Sequence, residues 1–290
     1  MVSLLLLGAN GQVGTELRRS LAPLGELTAL SRAECDLTNK ENLLDTVKRQ
    51  QPDIIVNAAA YTAVDQAETD QDMAMAINAE APTLLAQQAA KLGALYVDYS
   101  TDYVFDGTKS GAYSESDSPH PVNVYGRSKL AGLEGIQQSG CRHLVFRVSW
   151  VYSAHGHNFL KTMLRLGQEK TELNIVADQT GCPTSADLIA EISAQAIRRV
   201  QEDEEKAGIY HLAPRGQTSW YGFAEAIFET VSQVTQYKVP ALKPVDSRDY
   251  PTPARRPVNS VLNTEKLQQS FELGLADWRQ PLKSIIEKLV

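Results

Sequence analysis

The first part of the chain constrains the fold more than any other. An apolar run from Val2 to Leu7 leads into Gly8, Gly11 and Gly14, and apolar residues at helical spacing continue to Leu21. This order predicts a buried parallel strand, a tight turn and a helix. Such a turn lets the backbone approach a pyrophosphate at the positive end of the helix dipole. The spacing is G-x-x-G-x-x-G rather than the dinucleotide fingerprint G-x-G-x-x-G, so the placement between strand and helix carries the prediction of a nucleotide site. A glycine-rich turn needed only for packing is the alternative.

The second predicted strand, Glu26 to Leu30, bears on which dinucleotide would bind. Ser31 and Arg32 follow this strand. An acid at this point would hold an adenosine ribose 2′-hydroxyl, and none is present. A guanidinium suits a 2′-phosphate better than a diol, so NADPH is favoured and NADH use is left open. Asp36 and Leu37 follow on a predicted loop. The carboxylate could accept a hydrogen bond from the adenine amino group, or it could simply face solvent.

Strands and helices alternate through the first half of the chain. Helices are predicted over Lys40 to Gln50 and Ala79 to Leu92, and they precede strands predicted over Asp53 to Asn57 and Ala94 to Ser100. This alternation predicts an α/β fold, a Rossmann-type doubly wound parallel sheet with a smaller mixed α/β lobe. Ligands of such sheets collect beyond the carboxyl ends of the strands, which are therefore the places to search.

Tyr125 and Lys129 form the first candidate catalytic pair. They lie four residues apart in a stretch that predicts a helix start, so their side chains would share one face. An ammonium beside a phenol lowers the phenol's pKa from about 10 toward the neutral range, which suits a general acid for a carbonyl oxygen. Thr101 would reach the same crevice from a strand end and could donate to a substrate carbonyl. A Thr that only closes a strand-end turn is the alternative.

Composition narrows the class of function. A chain of 290 residues predicts a large core and two lobes. The net charge of −7, without a basic stripe, argues against a nucleic-acid partner. No apolar run reaches the length of a membrane span and no signal peptide is recognisable, so a cytoplasmic protein with no membrane partner is expected. Cys35, Cys141 and Cys182 are interpreted as packing residues. The two histidines of the segment 155–157 are interpreted as a solvated turn rather than a metal site.

Several longer motifs carry a resemblance when they are taken together. They are NAAAYTAVD at 57–65, YSTDYVFDG at 99–107, NVYG at 123–126, FRVSWVY at 146–152 and YPTPARRPVNSVLN at 250–263. With the glycine turn and Lys129, they resemble the extended short-chain dehydrogenase/reductase family, and within it the reductases of 4-keto sugar nucleotides. The resemblance covers essentially the whole chain.

The resemblance implies a role for each matching position. Tyr125 would protonate the C4 alkoxide of a dTDP-4-keto sugar, Lys129 would hold the nicotinamide ribose and tune Tyr125, and Thr101 would bond the carbonyl. The expected cofactor contacts are Gly8, Gly11, Gln12, Val13, Gly14, Ser31, Arg32, Asp36, Leu37, Ala60, Tyr61, Thr62, Tyr99, Tyr125 and Lys129. The expected substrate contacts are Thr101, Asp102, Tyr103, Trp150, Arg255 and Arg256. The last two guanidiniums suit a diphosphate, with surface pairing as the alternative.

Other activities of the same family are alternatives. A 4,6-dehydratase is disfavoured because Tyr103 follows Asp102 where an acidic pair would be needed. An epimerase stays open, and so does a non-catalytic regulatory subunit, because the beta subunit of methionine adenosyltransferase resembles these reductases. Some relatives place Mg²⁺ at a dimer contact, and Glu16 and Asp187 fall at comparable positions. The side chain of Asp187 is shorter than that of a glutamate, which argues against Mg²⁺ binding. A homodimer is left open.

The second lobe is expected to be discontinuous. A Rossmann domain would comprise 1–148 and about 185–213, because a helix over Asp187 to Val200 and a strand over Gly208 to Ala213 would return the chain to the sheet. A substrate-binding domain would comprise about 149–184 and 214–290. The proline-rich segment 251–257 cannot be ordinary helix, so it is predicted to be a loop that closes on substrate.

Overall fold

Twelve strands and eleven α-helices make up the fold in a computed structural model that describes residues 1–290. The strands are β1 (Ser3–Leu7), β2 (Glu26–Leu30), β3 (Ile54–Asn57), β4 (Leu95–Thr101), β5 (His143–Val148), β6 (Val151–Tyr152), β7 (Glu172–Val176), β8 (Thr180–Gly181), β9 (Thr184–Ser185), β10 (Gly208–Leu212), β11 (Thr218–Ser219) and β12 (Ala241–Val245). The helices are α1 (Gln12–Leu21), α2 (Lys40–Gln50), α3 (Val64–Ala67), α4 (Gln71–Met75), α5 (Ala81–Leu92), α6 (Val124–Gln138), α7 (Phe159–Glu169), α8 (Ala186–Glu202), α9 (Trp220–Val234), α10 (Glu265–Phe271) and α11 (Leu282–Glu287).

A six-stranded parallel sheet organises the first lobe. Its order is β2-β1-β3-β4-β5-β10, and every neighbouring pair is parallel. The predicted fold class is therefore confirmed. The chain leaves β1 first toward β2 and later toward β3, so the strand order reverses there and a crevice opens beyond the carboxyl ends of β1 and β3.

The leucines of β1 show why this strand is a continuous apolar run. Leu4 and Leu6 pack with α1 and α8 on one face, while Leu5 and Leu7 pack with α2 and α5 on the other. All four are at most 2% exposed. Each fully buried leucine stabilises the fold by roughly 1.5–3 kcal/mol relative to an exposed one. A strand that is covered on both faces needs this pattern rather than alternation.

The helix before β4 differs from the prediction. Residues Ala76–Glu80 form a π-helical turn, and α5 begins only at Ala81 with Pro82 in its first turn. Proline is accepted there because the first helical N–H groups have no intrahelical partner. In the π-helical turn, Asn78 bonds both the N–H and the C=O of Tyr61, at 2.9 and 3.0 Å. This turn therefore holds the loop after β3.

The second lobe has its own apolar core, built from α7, α9, α11 and the parallel pair β7 and β12. Tyr152, Phe223 and Trp278 lie at its centre and are fully buried. One expected boundary is wrong, because α10 does not belong to this lobe. Leu267 and Phe271 pack in the first-lobe core, so the helix covers the edge strand β10.

Two further expectations concern membranes and cysteines. None of the helices is both long enough and apolar enough to cross a membrane. Cys35, Cys141 and Cys182 are all free and buried, which confirms their interpretation as packing residues.

Candidate active site

The glycine turn after β1 has the geometry of a phosphate cradle. Gly8 has φ +76°, and a Cβ there would lie 2.6 Å from the backbone N of Ala59. A Cβ at Gly14 would lie 2.0 Å from the carbonyl oxygen of Gly8. Gly11 caps α1 without a side-chain hydrogen bond, so the first N–H groups of the helix stay open. These observations fit the pyrophosphate of a dinucleotide, whose charge suits a helix N-terminus.

The adenosine end of the crevice is a small cavity of about 90 Å³. It is lined by Gly8, Arg32, Cys35, Asp36, Leu37, Ala59, Ala60 and Ile77. The N–H and hydroxyl of Thr38 donate to Asp36, and the bond from this N–H is the main reason that the pKa of Asp36 is lowered. Arg32 lies 3.4 Å from Asp36 and is mostly exposed, so its guanidinium can face a phosphate. Both polar groups of Ser31 bond Glu34 instead.

Two residues expected to contact the cofactor have side chains that bond other parts of the protein. The Gln12 amide oxygen accepts from Asn158 at 2.8 Å and from Ser153 at 3.3 Å, so this side chain links α1 to the second lobe. The Tyr99 hydroxyl donates to Ser193 at 2.8 Å within the first-lobe core. Only the backbone of these residues can face the crevice. Val13 and Leu37 also pack largely into core clusters.

The loop after β3 forms an open shelf beside the glycine turn. Ala60 and Thr62 are exposed, whereas Tyr61 is half-buried and donates from its hydroxyl to Asp70 at 3.1 Å. The shelf is fixed from below by the bonds between Asn78 and Tyr61. It leaves room for a ligand that lies across the carboxyl ends of β1 and β3.

Helix α6 brings Tyr125 to the end of β4. Asn123 caps the helix, with its side-chain oxygen 2.7 Å from the N–H of Gly126. A Cβ at Gly126 would lie 2.2 Å from the carbonyl oxygen of Tyr103, so glycine is needed for the helix to press against this turn. The phenol of Tyr125 consequently lies close to Thr101, and its ring meets Tyr103 edge-on at 5.9 Å.

The charge state of Tyr125 departs from the expectation. The pKa of this phenol is raised to about 12: burial is the main cause, the nearby Thr101 hydroxyl lowers the pKa, and the Asp102 carboxylate adds a smaller increase. Lys129 does not lower it, because its Nζ lies 3.6 Å from the Asp98 carboxylate and both groups are buried. The expected tuning of Tyr125 by Lys129 concerns the site with its cofactor bound and stays a prediction. At neutral pH the phenol keeps its proton and can act as an acid.

Asp102 lies beneath Thr101 rather than on the open side of the site. It is 2% exposed, and its two oxygens accept from the hydroxyls of Thr101 at 2.9 Å and Ser149 at 3.1 Å. Burial raises its pKa to about 6, against hydrogen bonds from Ser260, Thr101 and Ser149 that lower it. Each oxygen thus already has a hydroxyl donor, and the expected contact between this side chain and substrate stays a prediction.

Trp150 occupies a strained backbone position at the mouth of the site. It has φ +47°, a region that non-glycine residues rarely adopt. Its indole stacks on Trp220 at 3.6 Å and an interplanar angle of 6°, and a Cβ at Gly181 would lie 2.4 Å from it. Such strain persists only where the surroundings hold it, and it is typical of ligand sites.

The two candidate arginines have different surroundings in a cleft of about 1340 Å³ that they help to line. Arg256 donates to Asp65 at 2.8 Å and also bonds the half-buried Tyr103. Arg255 is exposed, and no carboxylate pairs with it. Pairing with a protein carboxylate, the alternative to a diphosphate contact, therefore applies to Arg256. The guanidinium of Arg255 is free to meet an anion.

Comparison with known proteins identifies the family. The family model described as the RmlD substrate binding domain matches residues 2–290. A dTDP-4-dehydrorhamnose reductase from Shigella flexneri is 47% identical over 293 residues, which covers 99% of this chain and 98% of the relative. A dTDP-4-dehydrorhamnose reductase from Burkholderia thailandensis is 47% identical over 296 residues, covering 100% and 99%. The chain belongs to the dTDP-4-dehydrorhamnose reductase family.

A solved member of the dTDP-4-dehydrorhamnose reductase family has the same architecture. The enzyme from Bacillus anthracis, in complex with NADP, superimposes with a TM-score of 0.89 at 33% identity, over 99% of both chains. The family resemblance inferred from the motifs is thus confirmed.

The residues that could hold Mg²⁺ in this member of the reductase family do not fit the ion. Glu16 lies near Asp187, and burial, followed by the proximity of this second acid, raises the pKa of Glu16. Lys288 lies 3.5 Å from Asp187, while Arg19 and His155 each lie 3.5 Å from Glu16. No group of three or more metal-ligating side chains is present. The contact with His155 also shows that this histidine is not merely solvated.

Sequence reasoning missed several residues of the site. Asp98 pairs with Lys129. Ser149 donates to Asp102, and Asp65 pairs with Arg256. Asp98 had a usable signal, because a charged residue inside an otherwise apolar strand must be paired when it is buried. Ser149 and Asp65 lie in stretches whose composition does not set them apart.

Proposed function

We propose that this chain reduces the C4 ketone of dTDP-4-dehydro-6-deoxy-L-mannose to dTDP-L-rhamnose with NADPH. One observation carries the proposal: in a member of this reductase family, α6 brings the Tyr125 phenol to the carboxyl end of β4, where Thr101 and Tyr103 lie. The crevice beside them has the glycine cradle that a dinucleotide requires.

The residues divide into cofactor-holding and proton-transferring groups. The open N–H groups of α1 would hold the pyrophosphate, Arg32 the 2′-phosphate and Lys129 the nicotinamide ribose. The chemistry that NADPH supplies when bound is a hydride for C4. Tyr125 gives its phenolic proton to the oxygen that becomes the C4 hydroxyl. A positioned acid of this kind contributes roughly 10² to 10⁴ in rate.

Thr101 acts on Tyr125 more directly than on the ketone. A hydroxyl has one proton, and that of Thr101 is directed to the Asp102 carboxylate at 2.9 Å. One of its lone pairs accepts from the N–H of Tyr103 at 3.1 Å, which leaves the other to accept from the phenol of Tyr125. Thr101 therefore orients the acid, and it could donate to the substrate carbonyl only when Asp102 no longer takes its proton.

The substrate would lie between the lobes, in the cleft of about 1340 Å³. Arg255 is the guanidinium that we assign to the diphosphate, since a forked donor set fits phosphate oxygens. Arg256 anchors the proline-rich loop through Asp65, and its neighbour Tyr103 and the stacked Trp150 would border the sugar. This loop contributes lining residues from 250 to 256, as a loop that closes on substrate would.

The domain division, oligomer and compartment belong to the same proposal. We assign 1–148 and about 185–213 to the cofactor domain, add α10 to it, and assign 149–184 and the rest of 214–290 to the substrate domain. The chain is expected to act as a homodimer in the cytoplasm. Light scattering on the purified protein and cell fractionation test these two expectations.

An assay of NADPH oxidation with the 4-keto sugar nucleotide tests the proposed function. We expect turnover with stoichiometric loss of the reduced-nicotinamide absorbance, and dTDP-L-rhamnose by NMR. Tyr125→Phe should bind NADPH normally, because the phenol is not a phosphate contact, and should lose roughly 10²- to 10⁴-fold in kcat. An epimerase would change the sugar without net NADPH loss, and a regulatory subunit would bind without turnover. Wild-type turnover no faster than that of Tyr125→Phe would refute the assignment.

A further inference from the structure

Asp98 is a charged residue in the middle of the buried strand β4. It is 3% exposed, and its Oδ1 lies 3.6 Å from Nζ of Lys129, which is 4% exposed on the facing helix α6. A buried ammonium is strongly disfavoured unless a counter-ion accompanies it. Asp98 is the only carboxylate within ion-pair distance of this ammonium.

The second oxygen of Asp98 is held by two neutral donors. The Asn57 amide donates at 2.8 Å and the Tyr96 hydroxyl at 2.7 Å. These two donors fix the orientation of the carboxylate, so its other oxygen stays turned toward Lys129. Asn57 in turn accepts from the N–H of Ala59, beside the glycine turn, at 3.2 Å. Asn57 therefore links the ion pair to the backbone beside the glycine turn, where the cofactor is expected.

Other charged groups near α6 do not replace this counter-ion. The titratable neighbours of the pair are Tyr96 on β4 and Tyr125 on the same helix as Lys129. The acids on the other elements packed against α6 are exposed or engaged elsewhere: Glu68 with the N–H of Val124 at the start of α6, Asp65 with Arg256, Glu80 with Lys40, Asp102 with Thr101 and Ser149, and Asp72 in solvent.

We propose that Asp98 is a positioning residue for the reductase, the counter-ion that holds the Lys129 ammonium in place and aimed at the cofactor ribose. The inference rests on the proposed function. The separation of 3.6 Å is that of an ion pair without a tight hydrogen bond, so the ammonium keeps N–H donors for ribose hydroxyls. Without Asp98, Lys129 would shed its proton to remain buried, and the ribose would lose a charged donor.

The pH profile of kcat for Asp98→Asn tests this role. We expect kcat near neutrality to fall roughly tenfold, and the loss to grow with pH as the unpaired ammonium deprotonates. Tyr96→Phe is the matched control, since it removes one donor from the same carboxylate and keeps the charge. Its profile should keep the wild-type shape. An Asp98→Asn profile parallel to that of the wild type would overturn the proposal, because a merely structural loss does not depend on pH.

A stability measurement keeps the proposal testable if Asp98→Asn folds poorly. Asp98→Asn and Lys129→Met each strand one buried charge, whereas the double variant strands none. We expect the double variant to melt at a higher temperature than either single variant, and additive losses would refute the pairing. Wild-type turnover in the same assay separates the two ideas: if the wild type is inactive, the proposed function fails, and if it is active, only the role of Asp98 is at stake.

Discussion

Replacing Asp102 by Asn should stabilise the protein at neutral pH. Burial raises the pKa of this carboxyl to about 6, whereas an unfolded chain has about 4. Between these values the folded state binds a proton that the unfolded state lacks. The resulting stability is fully present below pH about 4 and is lost as pH rises through about 6. Above that, burying the ionised Asp102 costs at most about 3 kcal/mol.

The asparagine substitution removes this cost with little change in shape. Its amide oxygen can still accept from Thr101, and its amide group can donate to the hydroxyl oxygen of Ser149, which now donates at 3.1 Å. We expect a gain of roughly 1–3 kcal/mol in the free energy of unfolding at pH 7.5 that vanishes near pH 4. Urea unfolding followed by tryptophan fluorescence at a series of pH values measures it.

Asp106→Asn provides a control of opposite sign. The N–H of Thr108, followed by other hydrogen bonds, lowers the pKa of the Asp106 carboxyl. Stability from such a group is present at neutral pH and lost as pH falls, so this variant should be less stable than the wild type at pH 7.5. If Asp102→Asn gained nothing at pH 7.5, or gained equally at low and neutral pH, the burial argument would be wrong.

Three further predictions concern the cofactor turn, the diphosphate and the metal. Gly8→Ala should abolish NADPH binding in a fluorescence titration, because its Cβ would lie 2.6 Å from Ala59, whereas Gly93→Ala has open space and should bind normally. Arg255→Ala should raise KM for the sugar nucleotide roughly tenfold or more and leave kcat near wild type; an unchanged KM would exclude the diphosphate contact. Chelation or added Mg²⁺ should not move the melting temperature, and a rise with Mg²⁺ would show that Lys288 does not occupy the acidic pair.

The cofactor half of the fold follows from local patterns. The β1 run, the glycines and the apolar spacing of α1 each act within a few residues, and burial on both faces leaves a parallel strand no other pattern. The glycine positions were informative because sterics exclude other residues: a Cβ at Gly8 or Gly14 would overlap the backbone. The predicted ends of β3 and β4 agree with the structure within one residue, because both strands are buried along their whole length.

The sequence does not show which distant residue or element each side chain or helix contacts. Helical spacing places Lys129 near Tyr125, but it says nothing about Asp98, which reaches Lys129 from a strand. In the same way, Gln12 lies in the expected turn and its side chain bonds the second lobe instead. Helix α10 returned to the first lobe because its apolar face fits β10, a contact between distant segments. In each case the partner was decided by contacts between segments that lie far apart in the sequence.

The two buried acids of β4 and its following turn act in the same direction on Tyr125. Asp98 forms an ion pair with Lys129, so this ammonium is directed to the strand, and the negative charge of Asp102 disfavours the phenolate of Tyr125. Both effects keep the proton on the phenol until a ligand changes the surroundings. Reduction of a ketone consumes a proton, whereas oxidation of the alcohol needs a base at the same position. The placement of these acids therefore favours the enzyme working as a reductase.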